Sequence, residues 1–231
     1  SSLKLNLGNK KIRSLSSVYL NSSDNSFSYY NNALIPAEWQ KQENATYFNR
    51  GFTQGFKFNI SDYQSIEIFS WNQWNHRELP SIMTNQQNPG NKEEQHSFSS
   101  RNTLKYIYTH SKTFVEVKTA WFYEDMNYEL LSTTAIDVYD TVSYINSNNK
   151  TNNSYFNALI RQELKKGWII SGEINYNRST VKSNNYLDIK SRDTYGLFID
   201  INKEFGSIAK MNIILRQDLV DGNFLNPMPF I

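Results

Sequence analysis

The sequence predicts an all-β protein, an antiparallel transmembrane β-barrel. Three observations carry this. From Phe52 to Phe230, runs of about ten residues alternate apolar and polar positions. The runs are joined by short connections and long polar ones in turn, the asymmetry of brief periplasmic turns and extended extracellular loops. Aromatic residues gather where runs meet loops, as the girdles of a barrel require.

The elements follow in order. A first strand lies within Lys10 to Leu20, and a polar, aromatic loop runs from Asn21 to Phe48. Gly51–Ile60 and Ser65–Trp74 form a hairpin about Ser61-Asp62-Tyr63-Gln64, with Phe56, Phe58 and Ile60 opposing Lys57 and Asn59. Arg101–Thr109 and Phe114–Tyr123 form a second about His110 to Thr113, with Val115 and Val117 opposing Glu116 and Lys118. Ser154–Leu164 and Trp168–Arg178 form a third about Lys165-Lys166-Gly167. Leu159–Lys166 could form a short helix, but its place between two loops suits a strand better. Arg192–Lys203 and Ser207–Gln217 form a fourth, with Ala209, Met211, Ile213 and Leu215 opposing Lys210, Asn212, Ile214 and Arg216. Between hairpins run the longer connections Asn75 to Ser100, Glu124 to Asn153 and Ser179 to Ser191. Trp168 falls at an inner girdle, and Trp71, Trp74 and Trp121 near an outer one. A soluble sheet with one face on a core gives the same alternation. The regular exchange of short and long connections favours the barrel.

Composition narrows the function. The 231 residues carry a net charge of +2, which points to no nucleic acid. Mean hydropathy is −0.64 with aromatics at 15%, and no apolar run approaches the roughly 20 residues of a membrane helix. Without Cys there is no disulfide and no thiolate metal site. Ser1 to Gly8 shows no signal peptide, so an outer-membrane chain would be processed or a fragment.

No enzymatic constellation stands out and no cofactor is implied. His76, His96 and His110 are dispersed, without the spacing of metal ligands. Asp24, Asp137 and Asp140 offer oxygen ligands for Ca2+ in polar loops, but solvated loop acids are the favoured reading. The lumen-side charges, among them Lys57, Glu67, Lys105, Glu116 and Lys118, alternate in sign and suit cross-strand pairing. Candidate ligand contacts at the outer mouth are Trp39, Trp71, Trp74, Arg77 and Tyr128, whose rings and guanidinium could stack on and hydrogen-bond a ligand. Against this, Trp71 and Trp74 suit a girdle, with Arg77 paired to Glu78 or a neighbour.

Two stretches resemble TonB-dependent outer-membrane receptors. Trp71 to Met83 (WNQWNHRELPSIM) is similar to their strand-to-loop element, in which a Trp leads to an Arg-(Glu/Asp/Gly)-(Ile/Leu)-Pro stretch. Tyr19 to Asn32 resembles the Ser-x-Asn-Asp-Phe-x-Tyr-x-Asn segment after their first barrel strand, and Leu225 to Ile231 suits an outer loop. The resemblance implies a plugged barrel of about 22 strands that takes up a siderophore, haem, cobalamin or an oligosaccharide. Implied partners are outer-membrane lipid, the nutrient, a plug domain and the TonB complex, with a surface lipoprotein as a further candidate. With roughly nine candidate strands, no plug before Leu3 and no terminal aromatic strand after Pro227, the chain reads as the N-terminal part of such a barrel. The competing reading is a soluble cell-surface β-sandwich that binds glycans. The direction of the apolar face separates the two.

Overall fold

The computed structural model describes residues 1–33, 35–80, 92–136, 139–206 and 209–230. The strands are β1 (Ser2–Gly8), β2 (Ile12–Ser23), β3 (Ser28–Asn31), β4 (Glu38–Lys41), β5 (Tyr47–Ser61), β6 (Gln64–Glu78) and β7 (Lys92–His110). There follow β8 (Thr113–Ile136), β9 (Tyr139–Glu163), β10 (Trp168–Ser183), β11 (Lys190–Phe205), β12 (Ala209–Val220), β13 (Asn223–Phe224) and β14 (Met228–Phe230). One antiparallel sheet runs in the order β1-β2-β5-β6-β7-β8-β9-β10-β11-β12-β13, with β14 also on β12 and β3-β4 as a separate hairpin. Among the described residues each long strand pairs with its neighbour in sequence, without a Greek-key crossover.

The chemistry of the sheet is written in its register. One row of directly paired residues crosses eight strands: Ile12, Phe58, Ile66, Tyr106, Val117, Ala158, Ile174 and Leu197. The adjacent row, one residue along every strand, reads Arg13, Lys57, Glu67, Lys105, Lys118, Asn157, Asn175 and Gly196. The first row is apolar throughout and the second polar as far as Gly196, because side chains alternate between faces. Members of the apolar row stand open: Ile12, Ile174 and Leu197 are 48%, 52% and 45% exposed. Among the described residues Ala120 alone counts as a buried hydrophobic residue. A β-sandwich needs a second sheet on that face. Among the described residues no second large sheet covers it, and a face of this kind is satisfied by lipid.

The turns form a staircase. The carbonyls of Lys11, Tyr63 and Lys112, at three successive tips, accept from the N–H groups of Asn59, Thr109 and Glu163. Each tip therefore lies alongside a strand of the next hairpin, which runs on beyond it. That stagger is the shear that tilts strands in a barrel. Near the inner turns the Lys203 ammonium lies 5.2 Å from the Trp168 ring and donates to the Lys166 carbonyl, an amphipathic anchor.

Three expectations are corrected. β1 precedes the anticipated first strand; its Leu3, Leu5 and Leu7 share the apolar face. Met228–Phe230 pairs with β12 rather than forming only a loop. Much of each long connection is strand: β8 and β9 pair from Thr113/Gln162 to Ile136/Tyr139, through most of Glu124 to Asn153. At 24 residues β8 runs for about 80 Å, and a tilt of about 40° lifts it some 60 Å, roughly twice the hydrocarbon thickness. Above the membrane both faces are wet, so the apolar period vanishes while backbone pairing continues. Side-chain amides brace this part, as in Asn149 Nδ2 to Ser147 Oγ and Asn127 Nδ2 to Glu129 Oε1, at 3.0 and 3.1 Å.

Candidate functional site

The outer half of the polar face carries the candidate site. Tyr47, Arg77, Gln95 and Tyr128 occupy one register row across β5, β6, β7 and β8. Arg77 donates to Gln95 Oε1 from Nη2 at 2.8 Å and from Nε at 3.2 Å. Tyr128 Oη donates to Glu93 Oε1 at 2.7 Å. Bonding to that carboxylate, helped by burial, pushes the Tyr128 phenol up to about 12. Beneath the row lies a groove lined by Asn49, Gln73, Asn75, Arg77, Ser97 and Glu124. Its floor is an amide and hydroxyl network: Gln73 Nε2 donates to Asn75 Oδ1 at 2.9 Å, and Asn75 Nδ2 to Ser97 Oγ at 3.4 Å. Such a surface offers donors and acceptors to a polar ligand, with Tyr rings beside them.

Further inward on the same face, the Arg101 guanidinium sits 4.9 Å from the Trp71 ring centroid. Below it Glu67 bonds Lys57 at 2.7 Å and Lys105 at 2.9 Å, the cross-strand pairing expected of the lumen charges. Gly51 lets β5 pass here. A Cβ would collide with the Tyr19 ring and with the Asn72 carbonyl.

The predicted contacts thus divide. Arg77 and Tyr128 come together in one row, and Trp71 shares their face. Trp74 does not: three residues from Trp71 on one strand, it points the opposite way. It packs on Phe98 at 4.9 Å and Phe52 at 6.1 Å, with Arg50 at 5.7 Å. Trp121, on that same outward face, stacks on Tyr123 and donates from Nε1 to Asn152 Oδ1 at 2.6 Å. These are girdle positions, so Trp71, on the inward face, does not share a girdle with Trp74. Trp39 stands on β4, 72% exposed, against the Tyr30 ring at 5.7 Å. Arg77 turns to Gln95, and Glu78 instead accepts from the Thr46 N–H at 3.2 Å. Of the resembling stretch, Ser81 to Met83 lies outside the described residues, as does Asp137.

Sequence reading missed Tyr47, Gln95 and Arg101, which only the register brings beside Arg77 and Trp71. It also took the histidines as dispersed. That holds for His110, whose ring meets Tyr63 at the inner turn. His76 and His96, however, are direct cross-strand partners with rings stacked 4.2 Å apart, and Glu94 lies beside both. The Lys92 ammonium, 3.0 Å from Glu94 Oε1, holds that carboxyl below the usual range.

No protein-family model and no curated relative matches the chain. Solved structures do. The chain is similar to the siderophore receptor PirA from Pseudomonas aeruginosa, at 12% identity and TM-score 0.64, over 99% of this chain and 34% of that one. It is similar to the outer membrane transporter YddB from Escherichia coli, at 12% identity and TM-score 0.68, again over 99% and 34%. A third likeness, over 99% and 37%, is to the ferric enterobactin receptor PfeA of Pseudomonas aeruginosa in a G324V mutant, at 10% identity and TM-score 0.62. The likeness is one of fold: an open antiparallel sheet arranged like part of the barrel of these outer-membrane proteins. The chain spans about a third of the length of each neighbour.

Proposed function

We propose that residues 1–231 are part of the single barrel domain of a TonB-dependent outer-membrane receptor that takes up a scarce nutrient. The observation that carries this is the pair of adjacent rows, apolar from Ile12 to Leu197 and polar from Arg13 to Gly196. Lipid outside and a wet passage inside satisfy both at once. The role is binding and transport, without catalysis. The nutrient meets the receptor on the outer half of the polar face, at Arg77, Tyr128 and the amide groove, with Trp71 deeper in the passage. Trp39, on its own exposed hairpin, supplies a ring from above, whereas Trp74 belongs to the girdle and makes no contact with the nutrient. Two neighbours are named for siderophores, which favours a ferric siderophore over haem, cobalamin or an oligosaccharide. A plug domain, the TonB complex and a surface lipoprotein complete the partners.

The test is uptake by the complete receptor in a host lacking its own receptors. A ferric catecholate, haem, cobalamin and a maltooligosaccharide are supplied in turn, with and without a functional TonB. TonB-dependent accumulation of one of them is expected. Equal, TonB-independent passage of all four would contradict the reading.

A further inference from the structure

We propose that His76, Glu94 and His96 form a binding site for a divalent transition-metal ion, Zn2+ foremost, on the outward face of the sheet above the membrane. The site stands apart from the polar groove, and it rests on the geometry of β6 and β7 rather than on the transport reading.

The ligand set is built by register. His76 on β6 faces His96 on β7 directly, and Glu94 lies two residues from His96 on the same face. The rings stack at 4.2 Å with 6° between their planes. Both Nε2 atoms approach the same carboxylate oxygen: Glu94 Oε2 lies 3.4 Å from His76 Nε2 and 3.8 Å from His96 Nε2. One ligand atom from each residue falls within 4.8 Å of the others. An ion bound to all three would sit at about 2.0–2.2 Å from each, so the two rings must tilt out of their parallel stack to aim both Nε2 atoms at it.

Two further observations point to a cation here. His76 Nε2 is buried and makes no well-directed hydrogen bond, an uncommon state for a buried polar atom. In addition, Glu78, Glu94 and Glu129 lie side by side in one row across β6, β7 and β8. Like charges directly opposite on a sheet repel. Lys92 answers part of this charge through Glu94 Oε1, leaving Oε2 turned toward the imidazoles. A lysine holding the second carboxylate oxygen also orients the ligand, as outer partners of metal ligands do.

The chemistry selects the ion. Two imidazoles and one carboxylate suit Zn2+ or Cu2+, whereas Ca2+ and Mg2+ take all-oxygen sites. The imidazoles are accessible, with side-chain exposures of 35% and 50% for His76 and His96. Three protein ligands leave a fourth position for water. His76 lies about twelve residues above Gln64 at the inner end of β6, beyond the roughly 9–11 that cross the bilayer. The ion would be reached from the external medium and would tie β6 to β7 above the girdle.

The experiment uses the complete receptor, folded in detergent, with Zn2+ affinity measured by competition against a chromogenic chelator and Co2+ as a spectroscopic probe. Wild type is expected to bind Zn2+ and to give the intense visible bands of four-coordinate Co2+. His76→Ala, Glu94→Gln and His96→Ala should each weaken Zn2+ binding at least tenfold, while His110→Ala leaves it unchanged. Zn X-ray absorption on the wild type, which needs no variant to fold, should show two imidazoles in the coordination shell. Absence of Zn2+ binding, equal affinity in all variants, or a shell without imidazole would overturn the proposal.

Discussion

Arg77 and Gln95 face each other across β6 and β7, and the guanidinium grips the amide oxygen through two nitrogens at 2.8 and 3.2 Å. Gln95 is neutral, so the grip orients the cation without neutralising it. A positive charge thus stands fixed at the outer end of the polar face, in the same register row as Tyr128.

Replacing Arg77 by Ala should weaken binding of the transported nutrient about ten- to a hundredfold, since a hydrogen bond to a charged group contributes about 1.5–3 kcal/mol. Gln95→Ala keeps the charge and loses only its orientation, so its effect should be smaller. Equilibrium binding to the purified receptor measures both, with the amount of folded barrel unchanged. Equal loss in the two variants would speak against a direct contact by Arg77.

Tyr128 gives a pH signature. Its proton is held more tightly in the folded protein, up to about 12 against an ordinary value near 10, because ionisation would place a phenolate beside the Glu93 carboxylate. A raised folded value means the contribution to stability is complete below pH 10 and is lost as pH rises through about 12. Difference absorbance of wild type against Tyr128→Phe should therefore show one phenol ionising near 12. Glu93→Gln should return it toward 10.

Ile213 and Asn212 are neighbours in sequence on opposite faces of β12. Ile213→Arg should cost about 2–4 kcal/mol of folding into lipid, the range for Arg near the midplane of a barrel. Asn212→Arg should be tolerated. Folding into vesicles along a denaturant series compares them directly.

Legibility in the sequence followed hydration. Within the bilayer belt Phe56, Phe58 and Ile60 alternate with Lys57 and Asn59, and the inner turns stood where the alternation placed them. Above the belt the Asn- and Ser-rich ends of β8 and β9 carry no such contrast, so they read as loop while their backbones remain paired. The candidate site shows the same division. Arg77 was found by its chemistry beside Trp74, yet its companions Gln95 and Tyr47 depend on the register across two connections. His76 and His96 are twenty positions apart with no local motif, and only the pairing of β6 with β7 stacks them. Trp71 and Trp74, close in sequence, were grouped together although strand parity separates them.

The most direct measurement is depth-resolved spin labelling at two consecutive positions of β10. Ile174→Cys and Asn175→Cys are introduced into a cysteine-free complete receptor and labelled in lipid vesicles; this stretch has no cysteine of its own. The label at 174 should relax strongly with oxygen dissolved in the bilayer and weakly with a water-soluble nickel chelate. The label at 175 should lack that lipid signature and respond more to the chelate than to oxygen. Two labels with the same preference would contradict a sheet with lipid on one face and a wet lumen on the other.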